Sequence, residues 1–158
     1  MSRKSVRRPV RKASRKSARK TVRKSRRPPF RIARSRSGLG AFATEPIRKG
    51  GFIARYWGRK ITDAEADRRG DNRYLFELNS RWTIDGTTRR NLARYINHSC
   101  RPNAEPFIGR GRIVIRAKRK IQPGEEIAYN YGRDHFEAFI KPKGCKCPKC
   151  REKRRGRR

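Results

Sequence analysis

The 158 residues carry 47 Lys and Arg against 13 Asp and Glu, a net charge of +34, far beyond what solubility requires and typical of chains that meet polyanions. This length suffices for one folded domain with a real core and leaves no room for a second. No stretch approaches the ~18 apolar residues of a membrane span, and the N-terminus has no apolar run between its charges, so neither membrane insertion nor Sec export is expected.

Nucleic acid is therefore the first partner to consider, and a monomer is the expected state. The charge is uneven: residues 1 to 36 hold 17 of the basic residues and no acid. Within them, residues 1 to 29 run in Arg-Lys-Ser and Arg-Lys-Thr units with too little apolar surface to offset the entropy of ordering. We expect a disordered basic tail there, attached to DNA or RNA phosphates by counterion release. The tail lacks the interleaved large apolar residues of an organelle transit helix. Its lysines, flanked by Arg and Ser, also have the form of methyl acceptors.

Pro28-Pro29 closes the tail, and Phe30-Arg31-Ile32-Ala33 alternates as a strand. Ser37-Gly38-Leu39-Gly40 then reads as a turn or loop whose glycines permit positive φ and a close approach of backbone to a ligand. Strand-length runs follow at Gly51 to Trp57, Tyr74 to Leu78, Trp82 to Asp85 and Arg112 to Ala117. Helix is predicted at Thr62 to Arg69, where Thr62 is an N-cap with Glu65 three residues on, and more briefly around Leu92 to Ile96. The fold class is mainly β.

The stretch Arg94-Tyr95-Ile96-Asn97-His98-Ser99-Cys100-Arg101-Pro102-Asn103-Ala104 concentrates hydrogen-bonding, turn and metal-binding residues. The other three cysteines crowd into Cys145-Lys146-Cys147-Pro148-Lys149-Cys150. A disulfide framework normally spaces its cysteines more widely. Four thiolates fit a closed tetrahedral zinc site, with disulfides or free thiols as the alternatives. His135, the only histidine besides His98, fits no motif, so no His-based triad is suggested.

Taken in order, Ser37 to Ala43, Arg94 to Ala104, Gly124-Glu125-Glu126-Ile127-Ala128-Tyr129-Asn130-Tyr131-Gly132 and the cysteine trio resemble the SET-domain lysine methyltransferases. The resemblance implies a β-clip of small sheets with a threaded C-terminal segment and few short helices. It divides the chain into the tail, a SET domain over residues 30 to 132, and a post-SET zinc segment with a basic end over residues 133 to 158. It implies S-adenosylmethionine as cofactor, held by the backbone of Gly38, Leu39 and Gly40 and by Arg94, Asn97, His98 and Tyr131. The Asn97 oxygen would accept from the cofactor's ammonium and the His98 backbone would pair with adenine. No aromatic follows Cys150 in the family's manner, which leaves Phe136, with Phe139 nearby, as the candidate beside the adenine.

The same resemblance makes Tyr131 the catalytic tyrosine and Tyr56 a wall of the lysine channel. Tyr129 stands where the family has Phe or Tyr, and its hydroxyl favours mono- or dimethylation. Asp85 matches a structural turn position. Free lysine titrates near ~10.4, so methyl transfer needs a channel that favours the neutral amine and aligns it; aromatic walls also face the cationic centre. Cys100 with Cys145, Cys147 and Cys150 would clip the post-SET segment over the site through zinc, although here two residues and not four separate the second and third of the trio. The implied substrate is a histone or histone-like basic protein, which would place the chain in a bacterial nucleoid or cytoplasm or on eukaryotic chromatin. The competing account is an inactive SET-like scaffold that binds nucleic acid.

Overall fold

The computed structural model describes residues 27–70 and 72–156; the tail expected over 1 to 29 lies outside these residues except for its last three. Among the described residues ten strands follow in order. They are β1 (Phe30–Ser35), β2 (Gly38–Ala43), β3 (Phe52–Tyr56), β4 (Arg59–Thr62), β5 (Leu75–Asn79), β6 (Trp82–Asp85), β7 (Asn97–His98), β8 (Ala104–Gly109), β9 (Arg112–Ala117) and β10 (Glu126–Tyr129). They form three small sheets of order β1-β2-β10-β7, β3-β9-β8 and β4-β6-β5. The mainly β expectation therefore holds.

Period-two alternation explains the clearest strands. In β9 Ile113, Ile115 and Ala117 are buried while Arg112 and Arg116 are exposed. Ile53, Ile96, Ile113, Ile115, Ile121 and Ile127 are fully buried, and each contributes roughly 1.5–3 kcal/mol by leaving water. The predicted helix is α1 (Asp63–Arg68), and the Thr62 side chain accepts from the Glu65 N–H at 3.2 Å. Leu92–Tyr95 makes a single 3-10 turn.

One expectation changes at the glycine segment. Gly38 to Gly40 lie within β2, because β1 and β2 are joined by a turn at Arg36-Ser37 and pair from Phe30↔Ala43 to Ser35↔Gly38. Only Gly38 uses positive φ (110°). Gly40 serves a close approach: a Cβ there would meet Glu126 Oε1 at 2.5 Å and Ser35 Cβ at 2.8 Å.

The C-terminal segment is inserted between earlier parts of the chain. β10 has β2 antiparallel on one side and the two-residue β7 parallel on the other. Beyond β7, the buried Asn103 takes the place of a strand. Its side chain donates to the Glu126 carbonyl (2.9 Å) and accepts from the Ala128 N–H (2.9 Å), and its N–H donates to the Ala128 carbonyl (3.1 Å). The chain then coils through α2 (Arg133–His135), a π turn (Phe136–Ile140) and a 3-10 turn (Lys141–Lys143), and ends in α3 (Pro148–Arg155). Gly144, at φ 72°, makes the reversal into Cys145.

Candidate active site and cysteine cluster

A cavity of about 830 Å³ gathers most of the residues singled out in the sequence. Leu39, Arg94, Asn97 and His98 share its wall with Tyr56, Tyr129 and Tyr131. Gly38 and Gly40 flank Leu39 in β2 without lining the cavity. Phe136 also stands behind the wall, with its ring 5.3 Å from that of His98, while Phe139 and His135 line it.

Asn97 is held in one orientation. Its amide nitrogen donates to the Leu39 carbonyl (3.1 Å) and to Glu126 Oε1 (2.8 Å), and Glu126 in turn accepts from the Ser35 hydroxyl (2.6 Å). With the nitrogen so committed, the amide oxygen is left as an acceptor. Gly40 is the residue that lets the Glu126 carboxylate pass. Arg94 lies over the Tyr74 ring at 3.8 Å and donates to the Thr87 carbonyl, while its buried Nε has no hydrogen-bond partner among the described residues.

The tyrosines belong to one aromatic cluster. Phe76 bridges Tyr56 (5.2 Å) and Tyr129 (6.3 Å), and Tyr129 lies 4.8 Å from Tyr131. The Tyr131 hydroxyl donates to the Ile96 carbonyl at 2.6 Å and the Tyr56 hydroxyl to the Tyr74 carbonyl at 2.7 Å. Gly86 makes room for Tyr56, whose ring a Cβ there would meet at 2.4 Å. Among the described residues the Tyr129 hydroxyl has no hydrogen-bond partner. Burial, reinforced by the neighbouring tyrosines, pushes the phenols of Tyr56, Tyr129 and Tyr131 well above their ordinary range. All three remain neutral hydroxyls at physiological pH and none is a phenolate base.

Both histidines are held neutral chiefly by burial. His98 Nδ1 accepts from the Tyr131 N–H (3.3 Å), which leaves the proton on Nε2, 3.3 Å from Cys100 Sγ. His135, which the sequence left without a role, stacks edge-on against Tyr131 at 4.7 Å and reaches the Arg73 carbonyl through Nε2 (3.1 Å). Sequence reasoning also missed Tyr74, Phe76, Ser35 and Glu126. Phe76 and Tyr74 carried only a strand signal, and nothing local marks Glu126 as the partner of Asn97.

The four cysteine sulfurs all lie within 4.8 Å of one another. Cys100 Sγ is 3.9 Å from Cys145 Sγ and 3.6 Å from Cys150 Sγ, close to the ~3.8 Å between sulfurs on a tetrahedral ion with Zn–S near 2.3 Å. The donor set thus fits zinc. The short Cys147-to-Cys150 spacing works because α3 starts at Pro148, so its first turn carries Cys150 back toward Cys147. Burial opposes ionisation at Cys100, Cys145 and Cys147, pushing Cys100 up and Cys145 to about 11, but the backbone N–H groups of Cys100 and Cys150 bring Cys147 down to about 7. A bound divalent cation favours the thiolate form of all four.

Residues 38–132 match the SET domain family model. The chain is 37% identical over 134 residues to histone-lysine N-methyltransferase trr of Drosophila melanogaster, covering 77% of this chain and 6% of that protein. It is 41% identical over 111 residues to histone-lysine N-methyltransferase ASHH1 of Arabidopsis thaliana (63% and 23%) and 34% over 128 residues to histone-lysine N-methyltransferase EHMT1 of Homo sapiens (72% and 10%). The aligned part thus spans less than a quarter of each of these relatives.

Proposed function

Because the chain belongs to the SET-domain family, we propose that it is a protein-lysine N-methyltransferase that uses S-adenosylmethionine and acts on a histone or histone-like basic protein. The observation that carries this reading is the single cavity in which the Asn97–Leu39 pair meets Tyr56, Tyr129 and Tyr131. The substrate class is taken from relatives whose names specify histone lysine.

The residues present fit the cofactor. The Asn97 amide oxygen would accept from its ammonium, and the β2 backbone at Gly38 to Gly40 and the His98 backbone would offer further polar groups. When bound, S-adenosylmethionine supplies a methyl group activated by a sulfonium. The protein's part is to deliver lysine as an aligned, neutral amine. The buried cluster around Phe76 disfavours the ammonium form. With their protons committed to carbonyls, the Tyr131 and Tyr56 oxygens turn lone pairs toward the cavity and accept from the amine N–H groups, which fixes the direction of the nitrogen lone pair. The zinc cluster would hold His135 and Phe139 against this channel.

Two expected outcomes concern single side chains. Glu126→Ala should release the Asn97 amide and weaken cofactor binding about tenfold, the worth of one hydrogen bond to a charged group, measured by titration calorimetry; an unchanged affinity would remove Asn97 from the cofactor site. Tyr129→Phe empties a hydroxyl from the channel, and intact-mass spectrometry should show the highest product state rise by one methyl above the expected mono- or dimethylation.

The function itself is tested by incubating the full chain with methyl-labelled S-adenosylmethionine and histones, free and assembled on DNA. Label should enter lysine, and the DNA-bound histones should be preferred, since a chain of net charge +34 repels a free basic substrate. If the protein binds DNA without cofactor yet labels no basic protein, itself included, the inactive-scaffold reading stands instead.

A further inference from the structure

The β3-β9-β8 sheet buries one face against the core and leaves the other open. Cross-strand register fixes which residues share the open face: Phe52 pairs with Arg116, Arg55 with Val114, Phe107 with Val114, and Arg112 with Gly109. Phe52 is 58% exposed and Phe107 48%, an unusual place for two large rings, and exposed apolar surface of this kind marks interaction sites. Arg55, Arg112 and Arg116 are also exposed, and among the described residues none forms an ion pair. Glu105, opposite Arg116, is the sole acid in this register. The Arg116 guanidinium stands 5.7 Å from the centre of the Phe107 ring.

The rings sit on the two outer strands, one step apart in register, which puts them roughly 12 Å from each other at ordinary strand spacing. Each can take its own planar partner, with cationic forks between them. An acidic peptide would use the arginines and leave the ring faces idle; a duplex would offer phosphates but keep its bases stacked. Unpaired bases joined by phosphates satisfy both sets of groups.

We propose that the open face of the β3-β9-β8 sheet is a binding platform for single-stranded nucleic acid, with Phe52 and Phe107 stacking on bases and Arg55, Arg112 and Arg116 holding the phosphates. This surface is independent of the methyl-transfer site and differs in kind from the basic tail, which meets phosphates alone.

The test uses the full chain and fluorescence anisotropy with labelled oligothymidylate and an abasic strand of equal length and charge. The tail binds both strands alike, so a preference for the strand with bases reports stacking. The unaltered protein should prefer oligothymidylate by at least about tenfold, and the Phe52→Ala, Phe107→Ala double variant should lose that preference while keeping its affinity for the abasic strand and its methyl transfer to a short peptide. Arg55→Ala with Arg112→Ala should lower affinity for both strands and flatten the log–log salt slope by roughly 1.4. Oligouridylate of the same length distinguishes RNA from DNA as the source, and tight binding of either supports the platform. Equal affinity of the unaltered protein for base-bearing and abasic strands would overturn the proposal, and so would a preference that survives loss of both rings.

Discussion

Tyr131→Phe is expected to lower methyl transfer about 100-fold or more at saturating cofactor and substrate, with melting temperature and cofactor affinity little changed. The hydroxyl donates to the Ile96 carbonyl at 2.6 Å, so its proton is fixed and its lone pairs are aimed. Removing it deletes an oriented acceptor from a largely buried position, an effect that belongs to the transition state and therefore to kcat. The ring, which packs on Tyr129 and His135, stays. A decrease of only a few-fold would show that the hydroxyl does not orient the amine. The pH profile adds a second check. Burial raises the phenol of Tyr131, so activity should climb with pH as substrate lysine loses its proton, without a fall from tyrosine ionisation below pH ~10.

Loss of the metal should be nearly as damaging. The purified chain should carry one zinc, and chelation or Cys145→Ser should lower the melting temperature and cut transfer at least about tenfold. Structural zinc supplies apparent binding energies of about 10–16 kcal/mol in small domains. Here that energy would tie Cys100, next to β7, to α3 and the coil from Arg133 to Lys143, the segment that brings His135 and Phe139 to the cavity. Metal analysis, thiol titration before and after chelation, and amide exchange over residues 133 to 155 should move together. A metal-free chain with four freely titrating thiols and full activity would rule out the zinc clip. The His98 imidazole makes the coupling direct, since it receives the Tyr131 N–H on one nitrogen and faces Cys100 Sγ with the other.

Much of this architecture was legible in residue order. Alternation of isoleucine with arginine marks β9, Thr62 and Glu65 mark the start of α1, and the four cysteines point to one another across 45 and 50 positions. The Asn97-His98 pair and the paired tyrosines were equally legible by resemblance. The glycine segment was read as a loop because glycine usually signals a turn, whereas Gly40 stands in a strand and its small size serves the passage of a carboxylate.

Residue order alone was enough for the mainly β class, the motifs and the charge, because each depends on composition or on a period of a few residues. Only the tertiary structure decided that a two-residue strand would hold β10 from one side, that Ser35 would reach Glu126 across 91 positions, and that Phe76 would bridge Tyr56 and Tyr129. It also decided that Phe52 and Phe107 would share one open face. A two-residue strand has no period to detect, and contacts between distant segments arise only when sheets pack and registers lock, so no window of sequence contains them.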